Sequence, residues 1–231
     1  MYRENRLPHS SARYEGLRSV METLAILAGI VLLVVLSIEI IGGSGTRFSA
    51  FYLQVQFAVC VVFLLDFLVL WATAPNRGRY FWRNLLFLLL SVPWLNILGW
   101  CGVAVTRDWG VLVGLLPVLR AFLAMVIIVR WLTSDNRVRR LLVAYVFTVV
   151  VFTYISGLVF YEYEAAVNPK LHGFGNALWW AWMNVTTVGA AIFPVTVVGK
   201  VFCVLLPSLG MMFFPIFTTY VLQEYTHQKA E

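Results

Sequence analysis

Apolar residues in this chain gather into long runs. They do not alternate as in half-buried strands, nor form the one-sided stripes of helices on a soluble core. The runs cover about 23–41, 51–74, 81–98, 111–131, 141–160 and 195–222. Lengths near 20 residues are what an α-helix needs to cross a hydrocarbon core of about 30 Å. Gly42-Gly43-Ser44-Gly45, Pro75-Asn76 and the basic linker that ends in Arg137, Arg139 and Arg140 separate them, and Pro93 inside the third run predicts a kink. A different pattern lies between the fifth and sixth runs. A polar loop over 161–175 leads to a short aromatic segment with Trp179, Trp180 and Trp182. Thr186-Thr187-Val188-Gly189-Ala190-Ala191 follows, and a long apolar helix resumes after Pro194. A helix too short to span, an irregular stretch and a full helix predict a re-entrant loop. Irregular backbone at membrane depth persists only where protein buries it or where it lines a water-filled path. The pattern therefore predicts an all-α integral membrane protein with six transmembrane helices. An N-terminal arm occupies 1–20, a four-helix bundle 21–133, a two-helix domain with the re-entrant loop 134–222, and a short tail 223–231.

Composition strengthens this reading. Of 231 residues 61% are apolar and 12% charged, with a mean hydropathy of +0.84, more apolar surface than a soluble domain can hide. The net charge of +6 raises the possibility of a polyanion partner, but its placement points to topology. With the N-terminus inside, the inner segments hold twelve basic residues, among them Arg77, Arg79, Arg83, Arg137, Arg139 and Arg140. The outer loops hold only Arg47, Arg107 and Lys170. This is the positive-inside asymmetry; it puts both termini in the cytoplasm and leaves no case for nucleic acid. The first twenty residues are too long, polar and mixed in charge for a signal peptide and are expected to be retained. Glu162 and Glu164, in the outer loop, are expected to favour cations near an outer mouth.

Enzyme chemistry finds no support. Cys60, Cys101 and Cys203 form no ligand or redox motif, and their odd number argues against a disulfide framework. His9, His172 and His227 are scattered, no catalytic or metal constellation is visible, and no cofactor is implied. The absence of an inverted repeat disfavours a secondary transporter.

Ala177-Leu178-Trp179-Trp180, Thr186-Thr187-Val188-Gly189, Pro194-Val195-Thr196, Gly199 and Gly210 occur in an order that resembles the pore of the tetrameric potassium-channel superfamily. The resemblance implies a homotetramer around a central axis, with a pore helix, a selectivity filter and an inner helix from each copy. Backbone carbonyls of such a filter replace an ion's hydration shell. That role falls to Thr187, Val188, Gly189, Ala190 and Ala191, supported by Trp179, Trp180, Met183 and Thr186. The sequence departs from the family where Tyr-Gly-Asp becomes Ala190-Ala191-Ile192. Alanine at the second filter glycine costs roughly 1–2 kcal/mol if the backbone is left-handed there. Ala190 and Ile192 cannot bond to the tryptophans, and Met183 replaces a carboxylate often found behind the filter. Two plainer roles stay open: an aromatic belt for the tryptophans and a helix contact for the threonines. Pro207, Gly210 and Pro215 mark an inner-helix hinge or gate, or else a static kink. Met211, Met212, Phe213, Phe214 and Phe217 either close an inner pore by dewetting or pack against helices and lipid.

Four helices before a two-helix pore resemble the six-helix, voltage-gated branch. The expected sensor remnant is Asp66, Arg120 and Arg130; Leu70 and Phe87 stand where the family has charged residues. Each charge crossing the full field is worth about 2.3 kcal/mol per 100 mV, so one or two arginines give weak or no voltage gating. Arg130 reads as a boundary anchor. Arg120 either pairs with Asp66 or faces an aqueous crevice.

The expected function is the pore-forming subunit of a potassium-channel-like cation channel, passing K+ and possibly Na+. The alternative is a non-conducting pore-fold membrane protein with a structural or regulatory role. Expected partners are further copies of the chain and membrane lipid, with no soluble ligand domain. The expected location is a plasma or inner membrane.

Overall fold

The computed structural model describes residues 10–43, 48–73, 77–102, 106–132 and 137–228. The start of the expected arm (1–9), the loop signal at Ser44-Gly45, Arg47, Pro75-Asn76, the linker residues 133–136 and the end of the tail (229–231) lie outside the described residues. Among the described residues every regular element is an α-helix.

Four stretches are long and apolar enough to cross a membrane: Thr23–Ile41, Ala50–Ala72, Leu141–Glu164 and Val197–Gln223. The first lies in α1 (Ser10–Ile41), the second in α2 (Ala50–Thr73). The third expected run is not one helix but three: α3 (Arg77–Arg83), α4 (Leu85–Ser91) and α5 (Trp94–Trp100). Both breaks have local causes. Asn84 Nδ2 donates to the Tyr80 carbonyl at 2.9 Å, competing with the helix ladder. Pro93 has no N–H to give to the Leu89 carbonyl and holds Val92 extended at φ −72°, ψ 133°. The Trp94 indole donates to that same Leu89 carbonyl at 2.9 Å, in place of the missing amide. The fourth run forms α6 (Arg107–Leu132), which carries Pro117 without interruption.

The chain divides into two compact units. The first holds Met1–Leu36 and Thr46–Ala124, so the boundary falls within α6, ahead of the expected one at 133/134. In this unit Tyr52, Val59, Cys60, Phe63 and Phe67 form a buried stripe on α2. Tyr80 and Phe81 of α3 pack on Phe67 with ring centroids 5.9 and 6.4 Å away. Asn96 of α5 donates to the Leu53 carbonyl at 3.3 Å.

The second unit holds Ser37–Gly45 and Met125–Glu231. Its helices are α7 (Arg137–Glu164), α8 (Gly173–Val185), α9 (Val197–Met211) and α10 (Phe213–Gln228). The end of α1 belongs here, where Tyr154 donates to Ser37 Oγ at 2.9 Å. Phe160, Leu171, Ala177, Trp180, Ala181, Val185, Ile192 and Leu206 make its core. Gly157 of α7 lets α8 come close, since a β-carbon there would lie 3.4 Å from Leu178 Cα.

Candidate functional site

Helix α8 has 13 residues, about 20 Å at 1.5 Å per residue, too short to cross a bilayer. Its buried positions, Ala177, Trp180, Ala181, Asn184 and Val185, follow a three-and-four spacing that turns one face into the unit's core. Trp180 is fully buried and stacks on Phe160, with centroids 3.6 Å apart and planes 10° from parallel. This is a core contact and not an aromatic-belt position. Trp179 and Trp182 remain exposed, and Met183 is half-buried.

Asn184 is the buried polar group at the end of α8. Its Nδ2 donates to the Trp180 carbonyl at 2.8 Å, and its Oδ1 accepts from Cys203 Sγ at 3.7 Å. Beyond Val185 the helix stops. The Thr186 hydroxyl donates to the Trp182 carbonyl at 2.8 Å. The Thr187 amide donates to the Asn184 carbonyl and the Gly189 amide to the Met183 carbonyl, each at 2.9 Å. Thr187 and Gly189 are left-handed, at φ 64° and 82°.

These two amides fix the direction of the loop's carbonyls. In a trans peptide the C=O of one residue lies opposite the N–H of the next. With the Thr187 and Gly189 N–H groups turned toward α8, the carbonyls of Thr186 and Val188 point away from it. Thr186, Thr187, Val188 and Gly189 are all exposed. The Thr186 and Val188 carbonyl oxygens thus stand on the loop's open side. The chain turns back at Ile192, which is buried in the core. The strain expected at Ala191 does not arise: neither Ala190 nor Ala191 has positive φ, and the left-handed non-glycine residue is Thr187.

The loop's exit is held by a residue that the sequence pattern placed elsewhere. Glu164, expected near an outer mouth, is fully buried. It accepts from the Val195 amide at 2.9 Å, the Thr196 amide at 2.7 Å, the Thr196 hydroxyl at 2.7 Å and Asn168 Nδ2 at 2.7 Å. Asn168 Nδ2 also donates to the Phe193 carbonyl at 2.9 Å. Thr196 in turn caps α9 by accepting from the Gly199 amide at 3.0 Å. A β-carbon on Gly199 would lie 2.6 Å from Glu164 Oε1, which explains the glycine by space. The only outward signs of this clamp were the four-residue spacing of Glu164 and Asn168 and the Pro-x-Thr before α9.

Below the loop, the three candidate hinge residues differ in what they do. Pro207 sits inside α9 without breaking it. Gly210 lies against Val185, so that a β-carbon would overlap the Val185 carbonyl. The break falls at Met212, where the Tyr145 hydroxyl donates to the Leu209 carbonyl and the Met212 amide reaches that same oxygen at 3.2 Å. Pro215, three residues on, has no amide for the Met211 carbonyl. An inserted hydroxyl and a proline together account for the break. An open cleft of about 620 Å³ joins the two regions. It is lined by Val146, Val149 and Val150 of α7, Trp182 and Val185 of α8, Thr186 and Thr187 of the loop, and Gly210, Met211, Phe213 and Phe214.

Asp66 and Arg120, expected as sensor residues, belong to the other unit. Arg120 Nη2 lies 3.1 Å from Asp66 Oδ2, both side chains buried, and its guanidinium sits 4.4 Å above the Phe63 ring. The side chain of Arg130 lies outside the described residues.

Residues 141–227, from α7 into α10, match the family model described as "Ion channel". The match supports an ion channel, a transport-type protein. No curated protein matches the chain.

Proposed function

We propose that four copies of this chain surround a pore that passes monovalent cations, each contributing one potassium-channel-like loop as the filter wall. The observation that carries the reading is the pair of hydrogen bonds from the Thr187 and Gly189 amides to the end of α8, which turns the Thr186 and Val188 carbonyls away from it. Four such pairs facing an axis give rings of oxygens that replace a cation's water. The Thr187 hydroxyl would join them at the inner end.

The upper filter differs. Ala190 and Ala191 leave the left-handed pattern and Ile192 packs into the core, so fewer carbonyl rings line the path. K+ permeation with weakened exclusion of Na+ is the expected outcome. Beyond the helix break at Met212, exposed Met211, Phe213 and Phe214 would form in the tetramer an apolar constriction suited to closing by dewetting. Arg120 is the one charge in the sequence of α6 between Asp108 and Arg130, and it is buried against Asp66, which gives at most slight voltage dependence. In this reading α3 to α5 together and α6 add two crossings to the four long apolar spans. Both termini then lie in the cytoplasm of a cell whose plasma or inner membrane holds the tetramer.

Purified protein in liposomes under opposed K+ and Na+ gradients tests the proposal. A cation current with a reversal potential between the two Nernst values, lost on Gly189→Phe, is expected. Well-folded tetramers that carry no current would instead favour the non-conducting, structural role.

A further inference from the structure

A second surface, in the other unit, has chemistry that the pore does not use. Helix α3 follows the apolar span Ala50–Ala72, and a bilayer crossed by that span would place α3 where hydrocarbon gives way to headgroups. Its register is amphipathic. Tyr80 and Phe81 turn inward onto Phe67, while Arg79, Trp82 and Arg83 fall within about 100° of one another on the outer face. Trp82 is 75% exposed, and Arg79 and Arg83 are exposed as well. Among the described residues neither arginine has a carboxylate partner. The start of α3 is tied to the end of α2, because the Trp71 indole donates to the Arg77 carbonyl at 3.2 Å and Arg77 donates to the Ala72 carbonyl at 3.4 Å.

We infer that this face binds the headgroup of an anionic phospholipid. A guanidinium offers paired donors to phosphate oxygens. Two of them one helical turn apart, flanking an indole with an apolar body and one N–H, match a charged headgroup above an acyl chain. Tryptophan prefers this depth, and anionic leaflets attract juxtamembrane basic residues. The inference is independent of whether the loop in the other unit conducts.

The test uses the full chain in detergent, titrated with phosphatidylglycerol or phosphatidylcholine of identical acyl chains and read by native mass spectrometry and thermal shift. Phosphatidylglycerol should bind and raise the melting temperature well beyond phosphatidylcholine. The double variant Arg79→Gln/Arg83→Gln should weaken that binding by at least about tenfold, and Arg79→Lys/Arg83→Lys should largely retain it. Trp82→Ala should shorten lipid residence without abolishing the headgroup preference. Equal binding of the two lipids by wild type overturns the proposal, as does undiminished phosphatidylglycerol binding by the glutamine variant. Equal stabilisation by inorganic phosphate alone makes this a free-anion site and also overturns it. Should the glutamine variant not fold, the comparison of lipids on wild type and the lysine variant still decides the matter.

Discussion

Gly210 of α9 lies directly against the carbonyl of Val185, with no room for a β-carbon between them. The last turn of α8 therefore rests on the α9 backbone itself. Replacing Gly210 by alanine cannot be absorbed by a side-chain rotation, because the atom it meets is main chain. Overpacking of this kind costs about 1–3 kcal/mol. The unfolding free energy of purified Gly210→Ala should fall by at least that amount. Gly175, in the first turn of α8, has nothing within 4 Å of where a β-carbon would stand, and its φ is ordinary. Gly175→Ala should be neutral, or stabilise by up to about 1 kcal/mol from helix propensity. Equal loss in both variants would show that the close approach is not what Gly210 supplies.

The Glu164 clamp yields a second expectation. Four donors and no acceptor converge on the carboxylate. In Glu164→Gln the amide nitrogen meets at least one N–H head-on, at a cost of about 2 kcal/mol. Asn168→Ala removes one donor and should cost about 1 kcal/mol. Hydrogen exchange is the sharper readout: amides of Val195 and Thr196 should lose protection in Glu164→Gln, while those in the middle of α8 keep theirs.

The apolar spans and the helix–loop–helix order around Thr187 were legible in the chain because lipid demands long apolar runs and a broken one stands out. What stayed hidden depended on single donors and on distant partners. The run over 81–98 has the composition of a spanning helix; only the missing Pro93 amide and the competing Asn84 side chain divide it. Glu164 lies 31 and 32 positions from the amides it holds, so its place in an outer loop suggested water and not burial. Gly210 illustrates a third limit. Composition registers a missing side chain but does not distinguish a need to bend from a need for space.

Asp66 and Arg120 form a buried pair, and removing one partner strands the other's charge. Asp66→Asn or Arg120→Gln should each destabilise by about 3–5 kcal/mol. The double variant Asp66→Asn/Arg120→Gln removes both charges and should lose much less than the sum of the two single losses. Additive losses across this cycle would mean the two groups do not stabilise each other.

Thr187 gives the last expectation, in which stability and transport separate. A β-branched residue at φ 64° sits where only glycine is at ease, and the conformation costs about 1–2 kcal/mol. The Thr187 amide bond to Asn184 and its neighbour at Gly189 hold it there. Thr187→Gly relieves that strain without touching either amide, so the purified protein should be more stable by up to about 1 kcal/mol; the gain is partly offset by the greater freedom of glycine in the unfolded chain. The same change removes the hydroxyl that the proposed filter would use beside its carbonyls. If that filter holds a cation, flux in liposomes should fall or lose its preference for K+ while the melting temperature rises. Gly189→Ala runs the other way, adding left-handed strain at φ 82° with open space around the new methyl. A Thr187→Gly protein that is both less stable and equally selective would mean that the loop's backbone is not held in this form and that the hydroxyl has no part in the path.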